Sequence, residues 1–150
     1  DPLQSRQIVD QVWSLARNTM TKGDRFRLML IPISKSGTTL ETLTAFSFFY
    51  DEFKRESYLD MEVAVVTDLD PEANSPLLQL AVENNWRRFA VKNGVGGRFS
   101  VLNDVGLVMA ATIGLDLEKF LEGARFMDRS CQEDDCTKNP ALLNAVLKLL

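Results

Sequence analysis

Residues 27–39 read RLMLIPISKSGTT, an apolar segment followed at once by a polar turn. The apolar part is nearly unbroken, which is typical of a strand that is covered on both faces in a parallel sheet. Pro32 has no backbone N–H to donate, so we place it at the end of the strand or on an unpaired side. The sequence therefore predicts a buried strand over 27–33 that opens into the turn.

The turn concentrates hydroxyl groups, one ammonium group and one glycine immediately before a helix. In order, these residues are Ser34, Lys35, Ser36, Gly37, Thr38 and Thr39. A helix N-terminus leaves its first backbone amides unpaired and carries a positive partial charge. Together with a lysine and hydroxyls, such amides form a natural seat for a phosphate dianion.

Helix capping is a second interpretation of the same turn. Thr38 followed by Glu41 matches a capping box, which predicts a helix that begins near Thr38. Serine and threonine are common before helices simply because their hydroxyls cap them. Capping has no need of a cation, so Lys35 favours a phosphate seat, but the spacing alone leaves both interpretations open. The turn is not a nucleotide P-loop, which requires a glycine-rich loop that ends in Gly-Lys-Ser/Thr.

Strands and helices alternate along the first two thirds of the chain. Strands are predicted near 27–33, 61–67 and 88–91, and helical segments follow over 100–150. This order predicts an α/β fold with a parallel sheet, in a three-layer α/β/α arrangement followed by C-terminal helices. Ligands of open parallel sheets gather at the carboxyl ends of the strands. The loops after Ile33 and Val91 should therefore face the same crevice.

Composition limits the classes of function. The chain has 150 residues, which fits one domain, and its net charge of −4 argues against nucleic acid as a partner. No apolar stretch reaches membrane-spanning length and no signal peptide is recognisable, so we expect no membrane partner and a cytoplasmic location. The chain contains no histidine, which excludes serine–histidine and cysteine–histidine catalysis within it.

Cys131 and Cys136 are the only cysteines, and an acidic segment separates them. Thiols and carboxylates so placed could hold a metal, but zinc sites normally use four ligands and this chain offers no histidine. We expect two free cysteines without a function, and no metal.

A glycine-rich segment over 94–99 carries Arg98. Its glycines let the backbone approach a ligand closely and let the arginine project from a tight turn. A guanidinium beside a phosphate seat could stabilise negative charge that develops on a substrate oxygen. A surface ion pair is the alternative role for Arg98.

Several segments in the same order resemble the glucose-6-phosphate isomerase family and, more broadly, the sugar isomerase (SIS) domain. The resemblance covers most of the chain from about Leu28 onward. The segments are SKSGTT at 34–39 with Glu41 and Thr42, VGGRFSVL at 95–102, VGL at 105–107, GLD at 114–116, LEGA at 121–124 and NPA at 139–141. The first is shared among SIS domains, whereas the glycine–arginine segment is narrower and indicates the isomerase.

The resemblance implies a role for each site residue. Ser34, Lys35, Ser36 and Thr39 would bind the substrate phosphate. Arg98, with Gly97 beside it in the substrate-binding loop, would stabilise the enediolate as a proton moves between C1 and C2. The implied reaction interconverts glucose 6-phosphate and fructose 6-phosphate without a cofactor, as in glycolysis and gluconeogenesis, in a homodimer. Capping accounts for Glu41, which we leave out of the active site.

Other parts of the family pattern are not found in this chain. They are a first strand with a Gly-Gly-Ser phosphate loop, a proton-shuttling glutamate, a ring-opening histidine and a late lysine. We therefore expect residues 1–150 to form a single partial SIS domain that needs the remainder of its polypeptide and is inactive alone. The last helix, from Asn139-Pro140 to Leu150, is apolar on nearly every side and is expected to be covered by that remainder or by a second copy.

Two alternatives to the isomerase stay open. A non-catalytic SIS domain that senses a sugar phosphate would share the phosphate loop, but would not need the glycine–arginine segment. A structural fragment with neither function would use both loops only to cap helices.

Overall fold

The apolar runs form one parallel sheet in the computed structural model, which describes residues 2–92 and 94–149. Strand β1 is Phe26–Leu30, β2 is Leu59–Thr67 and β3 is Arg87–Ala90, and β2 lies between the other two. Phe26 lies opposite Leu59 in the first pairing. The predicted α/β fold class, a parallel sheet with helices on both sides, is confirmed.

Six α-helices accompany the strands in the described part of the chain. They are α1 (Pro2–Thr19), α2 (Leu40–Phe53), α3 (Pro76–Glu83), α4 (Asp104–Thr112), α5 (Leu117–Cys131) and α6 (Pro140–Leu149). The chain divides into two compact units, over 1–105 and 106–150. The first unit contains the whole sheet and both loops of interest.

Strand β1 ends at Leu30, earlier than the predicted end at Ile33. The chain nevertheless continues beside β2, since the Val66 N–H donates to Pro32 O and Ile33 forms a parallel bridge with Val66. Pro32 accepts there but cannot donate, which explains why the regular ladder stops before it. Of the two places predicted for Pro32, the structure shows the one at the strand end, two residues past the last residue of β1.

One face of the sheet packs against the first three helices. Phe46 of α2 and Leu77 of α3 meet Val63 and Val65 of β2 in one cluster, and a second cluster joins α1 and α2 to the start of the sheet. Members of the second cluster include Val9, Phe53 and Leu59. Burial of these side chains fixes where α2 begins relative to the end of β1.

Helices α3 and α5 each have an N-cap residue whose side chain accepts a hydrogen bond from the first turn of the helix. Ser75 Oγ accepts from the Leu78 N–H and Asp116 accepts from the Lys119 N–H, so α3 and α5 are capped by their own side chains. The Lys119 N–H also holds the pKa of Asp116 below its usual range.

The predicted capping box at Thr38 is wrong. Helix α2 begins at Leu40, its N-cap is Thr39, and that residue makes no side-chain capping bond. Thr38 does not cap the helix because its hydroxyl bonds instead to Ser36 Oγ, at 2.8 Å. Helical structure was predicted from residue 100, but α4 begins only at Asp104, after a turn in which the Asn103 N–H donates to Ser100 O.

The unit over 106–150 contains α5, α6 and most of α4. Asn139 caps α6 by accepting from the backbone of Ala141 and Leu142. No residue of α6 is buried among those described, and Leu149 is 88% exposed. That another surface covers α6 remains a prediction, and Leu150 lies outside the described residues.

Cys131 and Cys136 are both unpaired, as expected.

Within the described residues, every helix is too short or too polar to cross a membrane.

Gly37 fixes the path of the turn against the sheet and α3. It adopts φ +64°, and a Cβ there would overlap Ser75 Oγ and lie 3.0 Å from Thr67 Oγ1. Its carbonyl oxygen accepts from the Leu77 N–H at 3.3 Å. A residue with no side chain is therefore required for both conformation and space.

We expect Gly37→Ala to lower the free energy of unfolding by about 2–5 kcal/mol, since left-handed strain adds to overpacking. Gly94→Ala is the matched control, because Gly94 has φ +81° but open space around its Cβ position. That variant should lose only about 1–2 kcal/mol. Urea unfolding measures both, and equal losses would contradict the packing argument.

Candidate active site

An open cavity of about 470 Å³ lies at the carboxyl ends of β1 and β2. This volume is within the range of about 300–1,000 Å³ that is usual for small-ligand sites. The cavity is lined by Lys35, Ser36, Thr38, Thr39, Asp68 and Ala73. Three of the predicted phosphate-binding residues are thus brought together on its wall.

Ser34, the fourth predicted phosphate binder, lies beneath the turn and is 5% exposed. Its hydroxyl accepts from the Gly37 N–H at 3.1 Å and bonds to Thr39 Oγ1 at 2.9 Å. Its backbone N–H donates to Val66 O in the central strand. These bonds shape the turn, and direct phosphate contact by Ser34 stays a prediction.

The N-cap residue of α2, Thr39, makes no side-chain hydrogen bond to the backbone N–H groups of the first turn, so capping does not occupy these groups. Thr39 makes no capping bond because its hydroxyl is held by Ser34, and Thr38 is held by Ser36. Ser75 shows that a serine in this chain does cap its helix where it is free to do so. Thr39, the N-cap residue of α2, lines the same cavity as Lys35, so the uncapped helix start lies beside a cation, which favours anion binding over plain capping.

Lys35 connects the turn to the glycine-rich loop. Its ammonium group donates to Val95 O at 2.7 Å, and its own backbone oxygen accepts from the Asp68 N–H at 2.9 Å. One lysine thus contacts the segments that follow both β2 and β3. The two loops meet at the carboxyl ends of the strands, as the strand order predicted.

Arg98 lies in a short 3₁₀ turn, Gly97–Phe99, three residues beyond the Val95 carbonyl. Its side chain is exposed and has no ion-pair or hydrogen-bond partner among the described residues, so the alternative of a surface ion pair is not observed. Nothing lies within 4 Å of the position that a Cβ on Gly97 would take. The arginine is therefore available to a ligand, and the backbone beside it can be closely approached.

Three lining residues, Thr38, Asp68 and Ala73, were not among the predicted site residues. Thr38 was assigned to a capping box, although its place within the turn was sufficient to suggest a lining role. Asp68 directly follows β2, and the rule that ligands gather at strand ends could have identified it. No signal in the sequence predicted the Lys35–Val95 contact, which joins residues 60 apart.

Comparison with known proteins identifies the family of this chain. The model of the phosphoglucose isomerase family matches residues 9–150. The chain belongs to the phosphoglucose isomerase family. Among relatives named glucose-6-phosphate isomerase, that of Methanocaldococcus jannaschii is 37% identical over 131 residues, and that of Mycoplasmopsis pulmonis is 40% identical over 122.

These alignments cover 87% and 79% of this chain, but only 31% and 28% of the two relatives. A crystal structure of a hypothetical protein from Thermus thermophilus matches with a TM-score of 0.66 and 30% identity. It covers 88% of this chain, which spans 31% of that protein. This chain thus spans about a third of the length of the proteins it matches.

We expect Lys35→Met to loosen the glycine-rich loop, because a charge-assisted hydrogen bond to Val95 O is lost. Loss of about 1.4 kcal/mol corresponds to roughly tenfold faster hydrogen exchange at the Val95 and Phe99 amides. Hydrogen–deuterium exchange with peptide resolution measures this. Lys22→Met, which changes an exposed lysine before β1, should leave the loop unaffected; equal exchange in both variants would contradict the role of Lys35.

Proposed function

We propose that this chain supplies the phosphate seat and a charge-stabilising arginine to a glucose-6-phosphate isomerase. The observation that carries this proposal is the uncapped start of α2 on a cavity wall that also bears Lys35. The same lysine contacts the loop that bears Arg98, so a ligand whose phosphate occupies the cavity would lie near that loop. The implied ligand is a sugar phosphate.

In the proposed complex, the phosphate accepts hydrogen bonds from the first amides of α2 and from Ser36 and Thr39. Lys35 has three N–H donors and uses one of them on Val95 O, so the others are available to the phosphate. Ser34 holds Thr39 in place from below. The helix dipole and the ammonium charge both favour a dianion.

Arg98 is proposed to act at the other end of the substrate. Proton removal next to the carbonyl places negative charge on oxygen in an enediolate. A guanidinium stabilises such charge through a planar array of donors, and Gly97 lets the backbone approach the sugar. This contribution is realised mainly in the transition state, which is where it raises the rate.

The chain contains no histidine, so histidine cannot move the proton or open the sugar ring here. We propose that the remaining catalytic groups come from the rest of a longer polypeptide, and that the whole protein is a cytoplasmic homodimer. The 150 residues alone should show no appreciable turnover of fructose 6-phosphate in a coupled assay, since removing partners that act as a unit costs orders of magnitude in rate. Substantial turnover by this chain would refute that division of roles.

Titration of this chain with fructose 6-phosphate tests the seat. Lys35→Ala should weaken binding by about tenfold or more, because a charge-assisted contact is lost. Ser36→Ala should weaken it by a smaller factor. Lys22→Ala removes the same charge away from the cavity and serves as the control. If Lys35→Ala binds as tightly as the control, the proposed seat is wrong.

Arg98→Lys in the longer protein distinguishes an isomerase from a sugar-phosphate sensor. Lysine keeps the charge but loses the planar donor array, so we expect kcat to fall by about 10²-fold or more with little change in KM. Steady-state kinetics in both directions of the reaction would measure the changes in kcat and in KM separately. An unchanged kcat would show that Arg98 does not stabilise the transition state.

A further inference from the structure

Asp68 is an unexpected residue on the wall of a cavity that otherwise suits an anion. It follows the last residue of the central strand β2 and is half-buried. Its backbone N–H donates to Lys35 O at 2.9 Å, which ties it directly to the turn before α2. The lining of the cavity thus includes both a cationic residue, Lys35, and an acidic residue, Asp68.

The carboxylate of Asp68 is only partly used by the protein. Oδ1 accepts from the Asp70 N–H at 3.0 Å, in a local turn that an asparagine could form equally well. No lysine or arginine within the described residues forms an ion pair with Asp68. The turn therefore explains the role of one carboxylate oxygen of Asp68, but it does not explain why this residue carries a charge.

An unneutralised carboxylate disfavours a phosphate dianion close to it, because two like charges within a few ångströms repel. It is also a strong acceptor for hydroxyl donors, of which a sugar has several. The two effects act in the same direction, because both place the phosphate at α2 and a hydroxyl-bearing carbon near β2.

We propose that Asp68 is a positioning residue that orients the ligand by accepting a hydrogen bond from a sugar hydroxyl while excluding the phosphate from its end of the cavity. This inference rests on the proposed phosphate seat at the start of α2 and assigns a role to a further residue that lines the same cavity. It predicts that the chain prefers a polyhydroxylated phosphate ester to inorganic phosphate.

Asp68→Asn tests this orientation with little change in shape. Asparagine keeps an oxygen for the Asp70 N–H and removes only the charge. Binding of inorganic phosphate and of fructose 6-phosphate to this chain is measured by calorimetry. We expect the Asp68→Asn variant to bind inorganic phosphate about threefold to tenfold more tightly, and its preference for fructose 6-phosphate over phosphate to fall by about tenfold.

Glu72→Gln is the matched control. Glu72 is exposed, lies in the same connecting segment and does not line the cavity, so its loss changes the net charge equally without touching the ligand. It should leave the preference for fructose 6-phosphate unchanged. A change as large as that of Asp68→Asn would show a general charge effect and overturn the proposal.

The outcomes separate this inference from the proposed function. If the unaltered chain binds both ligands and Asp68→Asn leaves their ratio unchanged, the orientation is wrong while the phosphate seat stands. If Asp68→Asn weakens both ligands equally, the residue acts only through the turn, and the proposal is again overturned. If the unaltered chain binds neither ligand, the seat and the orientation fail together.

Discussion

The site depends on a set of backbone amides at the start of α2 that no side chain caps. The hydroxyls that could have capped them are bonded to one another, Thr39 to Ser34 and Thr38 to Ser36. Such N–H groups are available to an exogenous acceptor and, with the helix dipole, attract an anion. The adjacent lysine and cavity give that anion a place and a complementary charge.

The sheet holds this arrangement in position. The turn leaves β1 but remains bonded to β2 through Pro32 and Ser34, so its path follows the central strand. Gly37 then brings the turn so close to the start of α3 that a side chain would not fit. The Lys35–Val95 contact extends the same network to the loop that bears Arg98. The turn before α2 and the loop that bears Arg98 are therefore connected through one hydrogen-bonded network anchored on the sheet, rather than placed independently.

Local signals in the sequence were sufficient for the fold class and for three of the residues that line the cavity, Lys35, Ser36 and Thr39. Apolar runs predicted the strands, alternation with helices predicted parallel pairing, and the polar turn predicted where a phosphate would bind. The capping box failed because a motif match cannot show that Thr38 bonds to Ser36 rather than to the helix. Asp68 and the Lys35–Val95 contact depend on which strand ends become neighbours, and spacing along the chain carries no such information.

Amide chemical shifts during a phosphate titration test the central claim most directly, because they report on individual backbone N–H groups. The account predicts that addition of inorganic phosphate shifts the amide resonances of Leu40 and Glu41 most strongly, and that these shifts are lost in Lys35→Ala. Shifts confined to other parts of the chain, or unchanged resonances at the start of α2, would contradict it.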